Sequence, residues 1–239
     1  MNRRQFLTAS ARAAGAAAIL PVADAFANDQ PANVLTAEKS RLKPPPTGSI
    51  PVAILISDRL NVIDFSGPWG VFESVSLPGA SERPFRLFTV AESTDLVTSS
   101  SGLKLVPHYS FANVPEVKVV VIPAQRGSDA MHDWLRKLVN SADVTMSVCT
   151  GAFHLAMAGL LSGKTATTHH DFIDELHRQF PDVEVKRGVR FVENEKISTA
   201  GGLTSGTDLA LRVVERYFGR DIAERTATHM EYQGKGWIV

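Results

Sequence analysis

The chain has 239 residues, 44% of them apolar, with 25 Lys and Arg against 25 Asp and Glu and a single Cys. This is the composition of a soluble globular protein, and the balanced charge, with no basic run, excludes an electrostatic footprint for nucleic acid. One Cys excludes a disulfide framework and a four-Cys zinc site, so Cys149 acts as a lone thiol or by pairing with another chain.

Taken in order, the chain starts with Arg3 and Arg4, an apolar small-residue stretch from Ala13 to Leu20, and the A-x-A site Ala25-Phe26-Ala27. The pattern resembles a twin-arginine export signal, and residues 1–27 are read as a signal peptide cleaved after Ala27. A mitochondrial-type leader or an uncleaved anchor fits less well, because the apolar run falls short of the roughly 20 residues a membrane span needs. Cleavage removes three Arg and one Asp, which leaves a mildly acidic mature chain, expected in the periplasm and without a membrane span. Residues 28–48 end in Pro44-Pro45-Pro46-Thr47-Gly48 and read as a polar linker with a stiff polyproline piece that tethers or pads the domain. Residues 49–239 are the size of one large domain.

Inside that domain, apolar runs of strand length alternate with helical patterns. Ile50 to Ile56, Val117 to Ile122 and Asp143 to Val148 read as strands buried on both faces, with Phe85 to Ala91 and Leu103 to Val106 as further strands. Helices are predicted over Gly67 to Leu77, opened by Gly67-Pro68, and over Asp129 to Val139, Gly151 to Leu161, His170 to Phe180 and Leu203 to Phe218. Val189 to Ala200 reads as a strand pair turning at Asn194-Glu195, and Gly219 stops the last helix. Strand–helix alternation implies an α/β fold, a doubly wound and mainly parallel sheet sandwiched by helices.

Ligands in such sheets sit beyond the carboxyl ends of the strands. Three segments fall there: Asp64 in the first strand-to-helix loop, Pro123 to Gly127, and Cys149. Cys149 stands where a strand turns straight into a helix, and Gly151 and Ala152 leave room around it, as in a nucleophile elbow. The helix N-terminus is expected to favour thiolate and to offer N–H groups to a developing anion. A free Cys is most often a buried packing residue, and Asp64 also reads as a turn or capping Asp.

Val148-Cys149-Thr150-Gly151-Ala152-Phe153, the string Ala158-Gly159-Leu160-Leu161-Ser162-Gly163-Lys164-Thr165-Ala166-Thr167-Thr168-His169, Thr199-Ala200-Gly201-Gly202, Gly206 to Leu211 and Asp64-Phe65-Ser66-Gly67-Pro68 together resemble the ThiJ/PfpI superfamily. They are similar to its isonitrile hydratase branch and to the sensor domains of certain AraC-type regulators. The resemblance spans about Ile50 to Phe218. It implies a flavodoxin-like, class I glutamine amidotransferase-like fold, Cys149 as nucleophile and Asp64 as general acid/base, without a cofactor, acting on a small-molecule substrate. The implied reaction is that of a hydro-lyase, hydration of an isonitrile or similar electrophile to an N-substituted formamide. A homodimer is also implied. His169 matches the triad base of some relatives, Thr150 is placed to orient water or cap the elbow helix, and Gly67, Ala124, Gly151 and Arg126 are the remaining candidates for the anion hole or pocket.

Relatives carry Pro-Gly-Gly-x-Gly where this chain has Pro123-Ala124-Gln125-Arg126-Gly127. Ala124 still has an N–H to donate, and Arg126 puts a cation near the pocket mouth. His169, His170 and His177 lack the i, i+4 spacing of a metal pair, so no metal is expected. His154 reads as a packed or hydrogen-bonded core His, and Asp208 as a first-turn helix residue. Two alternatives stay open: a cysteine-dependent amidase or hydrolase, which would need His169, and a non-enzymatic ligand or redox sensor. The tail from His229 to Val239, with Tyr232 and Trp237, packs on the domain or on a partner.

Overall fold

The computed structural model describes residues 41–239; the export-signal reading of residues 1–27 and the linker up to residue 40 lie outside the described residues. Within residues 41–48, the Leu42 N–H donates to Arg216 O at 2.8 Å and its side chain packs against the apolar core.

A seven-stranded sheet forms the centre. Its members are β1 (Ile50–Leu55), β2 (Phe85–Ala91), β5 (Tyr109–Ser110), β6 (Val119–Ile122), β7 (Val144–Val148), β10 (Phe191–Asn194) and β11 (Ile197–Ala200). The order is β10-β11-β7-β6-β1-β2-β5, and every pairing is parallel except β10 with β11. Two ribbons stand apart, β3 (Val97–Thr98) with β4 (Lys104–Leu105) and β8 (Thr165–Ala166) with β9 (Glu184–Val185). The strand expected over Leu103 to Val106 is therefore the short β4, outside the main sheet, since its Leu103 and Val106 are exposed and have no core face to fill.

Helices cover both faces, because the central strands β1, β6 and β7 are buried on both sides. Along β1, Ile50, Val52 and Ile54 point into one cluster with α5 (Ser205–Phe218) and α6 (Arg220–His229), while Ala53 and Leu55 point into another with α2 (Asp129–Leu138), α3 (Gly151–Met157) and α4 (Ile173–Gln179). The first helix, α1 (Val62–Ser74), lies with α5. It differs from expectation: it opens five residues before Gly67, so Asp64 sits in its first turn rather than in a loop, and Pro68 is inside it. A proline there removes one intrahelical bond, and α1 tolerates it because Pro68 is buried against α5.

Other boundaries follow local chemistry. The helix expected to reach Leu161 ends at Met157, where Gly159 takes φ +74° and turns the chain out of the helix. His170 to Phe180 splits into a 3-10 turn, His170–Phe172, and α4. Gly219 stops α5 as expected, at φ +88°, and α6 follows directly. The tail packs on its own domain: Trp237 is buried, the Arg220 guanidinium lies 5.2 Å over its ring, and the Tyr232 hydroxyl donates to Asp208 Oδ1 at 2.9 Å. No helix of the described residues is long and apolar enough to cross a membrane.

Candidate active site

The chain runs from β1 to β2 on one side of the sheet and then to β6 on the other side of β1, so the strand order reverses between β1 and β6. A crevice opens at such a reversal. The loops after β6 and β7 and the start of α1 meet there, bringing Asp64, Ala124 and Cys149 together from residues 60 and 85 positions apart in sequence.

Cys149 follows β7 directly and takes φ +57°, a backbone conformation that an L-residue adopts only when its surroundings hold it. They do so from two sides. Its N–H donates to Gly201 O at 2.9 Å beyond the end of β11, and its carbonyl accepts from the Thr168 hydroxyl at 2.8 Å. Gly151 is required two residues later, since a Cβ there would come within 2.0 Å of Ile122 O. The bend leaves Cys149 6% exposed, at the edge of the core.

Three donors address the sulfur: the N–H groups of Thr150 and Leu203 and the Thr150 hydroxyl. Thr150 occupies the N-cap position of α3, yet its hydroxyl makes no capping bond and turns to Cys149 instead. The Leu203 contribution was not legible in the sequence, where Leu203 reads as the first residue of a helix. The chain instead places it before α5 at φ +53°, which aims its N–H back at the elbow. These donors do not make a thiolate. Burial pushes the Cys149 thiol up to about 11, the Asp64 charge adds to that, and the hydrogen bonds offset it only in part. The expected thiolate at the helix N-terminus is thus corrected to a neutral thiol.

Asp64 is fully buried. Its Oδ2 accepts the Ala124 N–H at 3.1 Å, while Oδ1 is buried without a partner of full hydrogen-bond geometry. Burial raises its pKa from 3.8 to about 6, against the opposing pull of the Ala124 N–H and the Cys149 side chain. Near neutrality the pair rests as carboxylate and thiol, with one proton on sulfur.

The remaining predicted residues fall in different places. The Ala124 N–H is occupied by Asp64, so in this state it is not free for a substrate anion. Arg126 is exposed, its backbone N–H bound to Asp58 O at 2.9 Å, and its guanidinium takes no ion pair among the described residues. Gly67 makes a close contact between α1 and α5, since a Cβ on it would meet Thr207 Oγ1 at 2.8 Å. His169 packs against Gly202, with its Nδ1 accepting the Asp171 N–H at 3.3 Å and lying 3.6 Å from Asp171 Oδ2. His169, His170 and Asp171 bring three possible ligand atoms within 4.8 Å of one another at a largely exposed position, and His177 is not part of that group.

Comparison with known proteins identifies the family and the fold. The sequence pattern that defines the DJ-1/PfpI family matches residues 51–216. Isonitrile hydratase from Pseudomonas putida is 32% identical over 193 residues, covering 77% of this chain and 79% of that protein. The HTH-type transcriptional regulator CdhR from Pseudomonas aeruginosa is 33% identical over 101 residues, 42% of this chain and 30% of the regulator. Among solved structures, a ThiJ/PfpI family protein from Pseudomonas syringae superposes with TM-score 0.67 at 28% identity, covering 79% of this chain and 77% of that one. DJ-1beta from Drosophila melanogaster superposes with TM-score 0.66 at 18% identity over 78% of this chain and all of its own, a likeness of fold.

Proposed function

The chain belongs to the DJ-1/PfpI family, and we propose that within it the protein is a cysteine-dependent hydro-lyase that adds water to an isonitrile, with Cys149 as nucleophile and Asp64 as proton carrier. The observation that carries this reading is a buried carboxylate with no ion-paired cation among the described residues, next to a buried thiol. Support for the reaction type comes from the isonitrile hydratase relative.

The chemistry starts from the resting pair. As Cys149 Sγ forms its bond to the terminal carbon of R–N≡C, Asp64 takes the thiol proton and passes it to that same carbon, giving the thioimidate R–N=CH–S. Water then adds to the C=N bond, with Asp64 relaying the proton to nitrogen, to give R–NH–CH(OH)–S. Collapse of that adduct expels the sulfur, which recovers its proton, and releases R–NH–CHO. No redox partner is needed. The raised pKa makes Asp64 a stronger base toward the thiol than an ordinary Asp and leaves it acidic enough to hand the proton on.

The hydrolase alternative takes His169 as the base, and the buried Asp64 carboxyl, hydrogen-bonded to the Cys149 side chain, is favoured over it for that role. A thiol kept neutral by burial is also a slow target for oxidants, which weighs against a redox sensor. On the strength of Arg3, Arg4 and the Ala25-Phe26-Ala27 site, the reaction is proposed to take place in the periplasm. The test is N-formamide formation from a panel of small isonitriles by the purified protein. Product that disappears in Cys149→Ala and Asp64→Asn supports the reading; no product from any isonitrile, with Cys149 still open to alkylation, overturns it.

A further inference from the structure

The elbow helix carries a second buried polar side chain that this reaction does not use. His154 on α3 is 5% exposed, with Nε2 3.1 Å from Gln125 O and Nδ1 3.4 Å from Nε2 of His132 on α2. A carbonyl oxygen only accepts, so His154 Nε2 bears the proton and Nδ1 accepts from His132 Nε2–H. Burial holds the His154 pKa down to about 4, which keeps the ring neutral and this donor pattern intact. The charged groups bearing on the pair are those around His132, namely Asp129, Asp133 and Arg136, while the titratable group acting on Asp64 is Cys149.

The ring is also a floor for the loop after β6. A Cβ on Gly127 would lie 2.8 Å from His154 Cε1 and 3.3 Å from His132 Nε2, so the loop backbone rests directly on the two rings. The Gln125 side-chain amide is buried and neither end has a hydrogen-bond partner among the described residues. On its other side the loop is held by the segment between β1 and α1: the Asn61 N–H donates to Ala124 O at 2.8 Å, the Arg126 N–H to Asp58 O, and the Ser57 hydroxyl to Arg126 O. Ala124, whose N–H is the donor on Asp64, thus sits between two sets of anchors, and His154 supplies the hydrogen bond from the elbow side.

We propose that His154, backed by His132, is a positioning residue: through Gln125 O it holds the loop of residues 123–127 so that the Ala124 N–H meets the Asp64 carboxyl. The elbow helix that presents Cys149 thereby also sets how readily Asp64 takes and gives its proton. The inference rests on Asp64 being the proton carrier, and its test reads Asp64 itself rather than turnover, so its failure and failure of the proposed reaction are separate results.

The experiment is a pH titration of the Asp64 carboxyl by infrared difference spectroscopy, the band being assigned by its loss in Asp64→Asn. His154→Leu fills the space without an N–H, and the expected result is a midpoint raised above its wild-type value near 6, with Asp64 binding its proton about tenfold more tightly, the size of one lost hydrogen bond to a charged group. His154→Gln, which offers an amide N–H to the same carbonyl, is expected to bring the midpoint back. A His that only fills space would lower the melting temperature and leave the midpoint where it was. A folded His154→Leu with the wild-type midpoint overturns the proposal. Should His154→Leu fail to fold, His132→Leu removes only the donor to Nδ1: a smaller rise supports the proposal, and no rise overturns it.

Discussion

Asp64 and Glu193 are both carboxylates taken out of water, and their surroundings differ in one respect. Glu193, on β10, faces Arg212 at 2.9 Å and Arg216 at 3.4 Å from α5, with Glu215 completing a buried ionic group. Asp208 is treated alike, with Arg190 at 2.5 Å and the Tyr232 hydroxyl at 2.9 Å. Asp64 meets one backbone N–H and a thiol, and no ion pair joins it to a described cation. Their arginine and tyrosine partners let Glu193 tie helix to strand and Asp208 tie tail to helix. Without a paired cation, burial works against the charge and Asp64 becomes free to exchange a proton near neutrality.

The largest expected effect breaks the paired region. Glu193→Gln leaves Arg212 and Arg216 buried beside a neutral amide and is expected to lower stability by about 3 kcal/mol or more, read by urea unfolding, with turnover per folded molecule unchanged. At the unpaired region the sign reverses. Asp64 is charged above pH 6 in the folded chain and above about 3.8 in the unfolded one, so its burial cost is fully present above pH 6, shrinks as the pH falls, and is gone below about 4. Asp64→Asn is therefore expected to stabilise the protein at pH 7 by on the order of 3 kcal/mol, with no advantage at pH 3.5. Equal stability of the two proteins at pH 7 would show that Asp64 carries no such cost.

Smaller effects sharpen the contrast. Tyr232→Phe leaves Asp208 with Arg190 and removes one hydrogen bond, an expected loss of about 1 kcal/mol in unfolding free energy. His169→Ala is expected to change kcat/KM by less than about threefold, because the proton carrier is the unpaired Asp64 and not a histidine; a loss of about a hundredfold or more would move the base role to His169.

The sequence showed the elbow because its parts are contiguous: a buried strand, one Cys and two small residues define it within ten positions. It also showed the layered sheet, since β1 and β6 are apolar on both faces and β7 has only small hydroxyl residues, Thr145 and Ser147, between its apolar ones. It did not show that Asp64 begins inside a helix, because Gly67-Pro68 is a strong local start signal and only contact with α5 overrides it. Nor did it show the neutral thiol: local chemistry points to a thiolate at a helix start, and the burial that reverses this comes from α5, α1 and the loop after β6 closing over the bend. The Leu203 N–H, the His154 contact and the occupied Ala124 N–H are likewise products of tertiary approach, which no spacing of residues in one segment records.

The central claim is that an unpaired, buried Asp64 moves the proton for Cys149, and the pH dependence of isonitrile turnover tests it most directly. With wild type and His169→Ala run side by side, the account predicts that kcat/KM in both proteins rises through an inflexion near pH 6 to a plateau at neutrality, as Asp64 becomes the carboxylate that takes the thiol proton. A level rate from pH 5 to 7, or an inflexion that vanishes in His169→Ala, would contradict it.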